Sequence, residues 1–248
     1  MIAVVTGASS GIGWATAEAL AKAGMDLIIC GRRKERLDTL ARQLSAMVNV
    51  LPVVFDVRDA EAVQSALGNL PADWQAVDVV INNAGNAHGR DPIQSGSLED
   101  WEAMIDINVK GLLYVSRVLL PGMVERGSGH IVNIGSLAGK EVYPNGNVYC
   151  ASKHAVDAIT QGMRIDLNGT GVRVTAINPG LAETEFSRVR FKGDEAEAAK
   201  VYEGYRPLQP EDVAEVIAFA VTRPAHVNIA DLLLLPTDQA TSTIVDKG

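Results

Sequence analysis

Short apolar runs alternate with helix-period segments along this whole 248-residue chain, and that alternation limits its possible folds more than any other feature. Residues 2–6, 26–30, 50–55, 77–82, 130–134, 172–178 and 232–235 read as strands. Residues 11–23, 33–47, 59–67, 149–167 and 210–221 carry helical spacing, the last opened by Pro210 at its first position. A longer helical stretch runs over 98–126 with a break near Ile105. Strands separated by helices predict βαβ units, hence an α/β fold with a parallel sheet. Aromatic residues make up only 5% of the chain, and the aliphatic bias suits buried strands covered by helices.

Composition excludes several function classes. Hydrophobic residues at 47% against 21% charged residues allow a sizeable core and argue against disorder. Thirty acidic against 22 basic residues give a net charge of −8, the wrong balance for a nucleic-acid binder. Cys30 and Cys150 belong to no CxxC pair, and no histidines stand at ligand spacing, so neither a disulfide framework nor a metal site is expected. No apolar run approaches the roughly 18 residues of a membrane span, and residues 1–5 read as a first strand rather than a signal peptide. A soluble, cytoplasmic protein is the expectation. Without a linker or repeat, residues 1–248 read as one domain. The charged, weakly periodic segment 181–205 follows a strand end; it is either a flap over a ligand or an ordinary surface excursion with short helices.

The first strand ends in Thr6-Gly7-Ala8-Ser9-Ser10-Gly11-Ile12-Gly13, and a helix follows at once. Such a turn aims unpaired N–H groups and a helix dipole at an anion, and its glycines let a pyrophosphate approach closely. Its spacing is GxxxGxG rather than the general GxGxxG fingerprint. After the second strand, where an acidic residue would bond the ribose of NAD, the chain reads Cys30-Gly31-Arg32-Arg33. Two guanidiniums suit the 2′-phosphate of NADP, so NADP is the expected cofactor, although both arginines could also be solvated residues at a helix start. Asp56 after the third strand is a candidate for the adenine amino group or a helix N-cap.

Together with Asn82-Asn83-Ala84-Gly85, Asn108, Ser136, Tyr149-Cys150-Ala151-Ser152-Lys153 and Pro179-Gly180 followed by Thr184, this turn resembles the pattern of the short-chain dehydrogenase/reductase family over nearly the whole chain. Residues 183–194 and 224–229 resemble its NADP-dependent 3-hydroxy acid dehydrogenases, which act on serine, allo-threonine and related small acids. The resemblance implies a Rossmann-like doubly wound seven-stranded parallel sheet with helices on both faces, and a homotetramer. It assigns catalysis to Asn108, Ser136, Tyr149 and Lys153. It assigns cofactor contacts to Gly7, Ser9, Ser10, Gly11, Ile12, Gly13, Arg32, Arg33, Asp56, Val57, Asn83, Gly85, Tyr149, Lys153, Pro179, Gly180 and Thr184.

Tyr149 and Lys153 stand four apart on a helix and share a face. A phenol with a pKa near 10 needs that value lowered by roughly 2–3 units, about 3–4 kcal/mol, to act as a base near neutrality. One cation at about 4 Å in an effective dielectric near 20 supplies about 4 kcal/mol, so Lys153 suffices if it lies that close; the charge of an oxidised nicotinamide adds to it. Tyr149 then takes the hydroxyl proton in oxidation and returns it in reduction, while Ser136 hydrogen-bonds the substrate oxygen. From the resemblance alone, Lys153 also holds the nicotinamide ribose and Asn108 relays its proton through a water. Arg188 and Arg190 in segment 181–205 are candidates for a substrate carboxylate, or else surface charges.

Three alternatives remain open at this level. The same fold could serve a non-catalytic NADP sensor. Gly7-Ala8-Ser9-Ser10-Gly11 also matches the GxSxG elbow of a hydrolase, but it follows the first strand and has no evident histidine partner. A reductase of the same family could act on another carbonyl substrate, such as a ketone, a sugar or a 3-oxoacyl thioester.

Overall fold

The computed structural model describes residues 1–248. Seven strands, β1 (Ile2–Thr6), β2 (Asp26–Gly31), β3 (Val50–Val54), β4 (Val77–Asn82), β5 (Gly129–Ile134), β6 (Val172–Pro179) and β7 (Asp231–Leu234), form one sheet in the order β3-β2-β1-β4-β5-β6-β7. Every neighbouring pair is parallel. The helices are α1 (Gly11–Lys22), α2 (Lys34–Leu44), α3 (Ala60–Gly68), α4 (Leu98–Ile105), α5 (Gly111–Arg126), α6 (Asn147–Asp166), α7 (Glu185–Arg190), α8 (Glu195–Lys200) and α9 (Pro210–Val221).

The five strands β2, β1, β4, β5 and β6 bury both faces, while the edge strands β3 and β7 stay partly exposed. Ala3 and Val5 of β1 point into one layer with Leu20 of α1, Leu37 of α2 and Ile217 of α9. Val4, between them, points into the other with Val63 of α3 and with Val115 and Met123 of α5. Helices therefore cover the sheet on both sides, and burying each such aliphatic side chain contributes about 1.5–3 kcal/mol. The strand order reverses between β1 and β4, which opens a crevice at their carboxyl ends, where α/β sheets bind ligands.

Local signals set the boundaries. Asp59 caps α3 by accepting from the N–H groups of Glu61 and Ala62, and Gln209 and Asp212 form a capping box around Pro210 on α9. The predicted stretch 98–126 holds as a continuous helical run, but Asp106–Lys110 winds as a π-helix between α4 and α5. Segment 181–205 contains α7 and α8, separated by a turn in which Lys192 (φ 52°) and Gly193 (φ 90°) adopt left-handed backbone.

Candidate active site

Beyond the ends of β1 and β4 lies a cleft of about 940 Å³, bounded by the glycine turn, the loops after β4, β5 and β6, and the α7–α8 segment. The turn is braced from β4. Thr6 Oγ1 accepts from the N–H groups of Asn83 and Ala84 at 3.0 Å, and Asn83 Nδ2 donates to Thr6 O at 2.9 Å. Gly7 and Gly11 sit at φ 66° and 53°, a backbone that side-chain-bearing residues rarely adopt. Ser10 at the head of α1 makes no side-chain cap, which leaves the helix N-terminus open to an anion.

Arg33 completes this end. Its Nε donates to Ser9 Oγ at 3.1 Å, its Nη2 to Ser10 Oγ at 2.6 Å, and its Nη1 to Glu185 on α7 at 2.8 Å. Arg32 lies 3.5 Å from Asp56, whose carboxyl is held below the usual range by Arg58 and Arg32 against the opposing effect of burial. An uncapped helix N-terminus, a glycine cradle and two guanidiniums fit a phosphorylated dinucleotide. Ser9 hydrogen-bonds Arg33, and no histidine lines the cleft, so the hydrolase reading is set aside.

At the other end, Ser136 heads a 3₁₀ turn and its Oγ accepts from Ala138 N–H at 3.1 Å. Tyr149 and Lys153 lie on consecutive turns of α6, only 8% and 7% exposed, and both line the cleft. Burial pushes the Tyr149 phenol above the ordinary tyrosine value, and the leading influences in the other direction are the Ser136 hydroxyl and the Arg190 guanidinium. Lys153 Nζ donates to the Ile134 carbonyl at 2.9 Å, and burial brings its pKa down to about 8.

The structure brings together Gly7, Ser9, Ser10, Gly11, Ile12, Arg32, Arg33, Asp56, Val57, Asn83, Gly85, Ser136, Tyr149, Lys153, Pro179, Gly180, Thr184 and Arg190 around one cleft. Three expected residues stand elsewhere. A Cβ on Gly13 would lie 2.3 Å from the Gly7 carbonyl, so this glycine lets α1 pack against the turn instead of lining the cleft. Asn108 is buried in the π-helix behind the site. Its Nδ2 donates to Asn86 O and Ser152 Oγ, and its Oδ1 accepts from Asn86 N–H. Arg188 does not line the cleft: its side chain is 63% exposed and pairs with Glu195 at 2.7 Å, which matches the surface-charge alternative.

Arg190, two residues on, faces inward. Its Nη1 donates to Tyr143 Oη at 2.9 Å and its Nε to Gly89 O at 3.3 Å, while its own carbonyl accepts from Gly89 N–H at 2.9 Å. The guanidinium lies 5.4 Å from the centre of the Tyr143 ring and 5.6 Å from that of Tyr149. Its Nη2 is buried without a partner. Sequence reasoning missed Tyr143, Arg90 and the edge-packed Phe186, whose ring centre lies 5.5 Å from that of Tyr149. Tyr143 and Arg90 belong to no motif, and Phe186 lies in the 183–194 stretch without a role assigned to it there; their proximity to Tyr149 and Arg190 marks them.

The family model described as short chain dehydrogenase matches residues 1–195. The chain is 49% identical to the NADP-dependent 3-hydroxy acid dehydrogenase YdfG of Salmonella typhi over 97% of its own length and 96% of that protein. It is 50% identical to sulfoacetaldehyde reductase 2 of Chromohalobacter salexigens, over 99% of this chain and 98% of the relative. Among solved structures, the closed form of serine dehydrogenase complexed with NADP+ superposes with a TM-score of 0.95 at 47% identity, covering 98% of both chains.

Proposed function

This chain belongs to the short chain dehydrogenase family, and on that premise we propose that it interconverts a small 3-hydroxy acid, of the serine, allo-threonine or 3-hydroxypropionate type, and the matching 3-oxo acid with NADP+ and NADPH. The observation that carries the substrate class is Arg190, whose guanidinium is fixed beside Tyr149 with one buried N–H group unpartnered. A carboxylate is the natural acceptor for such a group. The relatives named 3-hydroxy acid dehydrogenase and serine dehydrogenase support the same class.

NADP+ supplies a hydride acceptor when bound, and NADPH a donor. The glycine turn and the open end of α1 bind its pyrophosphate, Arg32 and Arg33 its 2′-phosphate, and Lys153 the nicotinamide ribose. Ser136 donates to the substrate oxygen, and Arg190 holds the carboxylate so that the hydroxyl meets Tyr149. Tyr149 Oη takes the hydroxyl proton in oxidation and returns it in reduction. Because burial keeps the phenol protonated, Tyr149 is poised as the acid of the reduction. Asn108 carries protons between Lys153 and solvent through a water; a Cβ on Gly85 would meet both Asn108 Oδ1 at 2.9 Å and Lys153 Nζ at 3.6 Å, which supports their shared place.

A short sulfonate aldehyde is the second reading, favoured by the 50% identical sulfoacetaldehyde reductase and by the same unpartnered Arg190 group. We further propose a single 1–248 domain with 181–205 as its substrate flap, acting as a cytoplasmic homotetramer; no helix is long and apolar enough to cross a membrane. Initial rates with NADP+ and NAD+ across 3-hydroxy acids, 2-hydroxy acids, hydroxy sulfonates and neutral secondary alcohols test the reading. The 3-hydroxy acids with NADP+ should lead, and a neutral alcohol or NAD+ in first place would overturn it.

A further inference from the structure

We infer that Glu185 is the resident anion of the 2′-phosphate subsite: its carboxylate occupies Arg33 in the free protein and must give way when the phosphorylated cofactor arrives, so that it lowers affinity for NADP selectively. The inference rests on the NADP reading above. Arg33 presents its donors in one fixed fork. Two of its nitrogens are engaged by Ser9 and Ser10, and the third by Glu185 Oε2 at 2.8 Å. A carboxylate and a phosphate ester compete for a guanidinium through the same acceptor geometry. The phosphate also carries about −1.5 to −2 charge at neutral pH, so Glu185 cannot stay beside it without like-charge repulsion.

The carboxylate has somewhere to go. Its other oxygen already lies 3.6 Å from Arg36, one turn further along α2. Arg33 and Arg36 together hold the Glu185 carboxyl below the usual range, opposing the effect of burial, so it stays charged at neutral pH. Its backbone is anchored as well. Thr184 caps α7 by accepting from Phe186 N–H, and its side chain lies 3.3 Å from where a Cβ on Gly11 would stand. The α7 segment thus brings an anion to the guanidinium that reads the cofactor, and passes it to Arg36 on exchange.

The test is isothermal titration of the full chain with adenosine 2′,5′-bisphosphate and with 5′-AMP, which lacks the 2′-phosphate. Glu185→Gln should tighten bisphosphate binding about two- to fivefold, the range an exposed ion pair is worth, with 5′-AMP unchanged. Arg36→Ala should weaken bisphosphate binding in the wild-type background and have no effect in the Glu185→Gln background. Unchanged or weaker bisphosphate binding in Glu185→Gln, a parallel change for 5′-AMP, or an Arg36→Ala effect that persists without Glu185 would each overturn the exchange. Failure of the NADP reading looks different: the unsubstituted protein would bind the bisphosphate no more tightly than 5′-AMP.

Discussion

Lys153 should cost the free protein stability, and removing its charge should restore it. The side chain is 7% exposed, its one polar contact is the Ile134 carbonyl, and burial lowers its pKa from 10.5 to about 8. A shift of about 2.5 units corresponds to about 3 kcal/mol of penalty on the ammonium. Lys153→Met fills a similar volume and gives up one hydrogen bond worth about 1 kcal/mol. A net gain of about 1–2 kcal/mol follows at pH 7, seen as a rise in Tm of about 3–6 °C for a domain of this size. The pH dependence carries the sign. The folded pKa lies below the unfolded one, so between about 8 and 10.5 the unfolded chain binds more protons and stability rises with pH. The advantage of the methionine variant is therefore full below pH 8 and disappears toward pH 10.5. Urea unfolding of both proteins at pH 7 and pH 10 measures it. A variant less stable at pH 7, or a gap that does not shrink with pH, would refute the reasoning.

Other expectations concern the site. Arg190→Ala should raise KM for a 3-hydroxy acid by about 10- to 100-fold, the worth of a hydrogen bond to a charged group, with little change for a neutral secondary alcohol, while Arg188→Ala leaves both unchanged; steady-state kinetics of the two variants decides it. Because burial raises the Tyr149 phenol, kcat/KM for oxidation should climb steadily from pH 6 to pH 10, and a bell centred near neutrality would contradict this. Gly13→Ala drives a Cβ to 2.3 Å from the Gly7 carbonyl, so it should destabilise the protein by about 1–3 kcal/mol and weaken NADP+ binding, read by unfolding and by titration.

Much of the frame was legible because its signals are local. The aliphatic runs of β1, β2, β4, β5 and β6 are buried on both faces, so their composition marks them without alternation. Pro210, Asp59 and Gly7 act within a few residues of themselves. The break near Ile105 was visible in the pattern, but its π-helical form was not, since it depends on Asn108 bonding Asn86 and Ser152 across the fold. Arg188 and Arg190 could not be told apart in the sequence for a related reason. Residues two apart on a helix do not share a face, but segment 181–205 has too weak a period to reveal α7. Tyr143 carries no motif, and its role appears only when Arg190 bonds its hydroxyl. The i,i+4 spacing of Tyr149 and Lys153 shows a shared face but not where a long side chain ends, and Lys153 ends on the Ile134 carbonyl.

The account turns on proton transfer by Tyr149 beside a cofactor held independently of it. Single-turnover hydride transfer from NADPH to a 3-oxo acid in Tyr149→Phe, with NADPH affinity measured on the same preparation, tests this most directly. The account predicts a rate lower by about 10²- to 10⁴-fold, with affinity within about twofold of the unsubstituted protein because the glycine turn, Arg32 and Arg33 remain. A phenylalanine variant that transfers hydride at close to the original rate would contradict it.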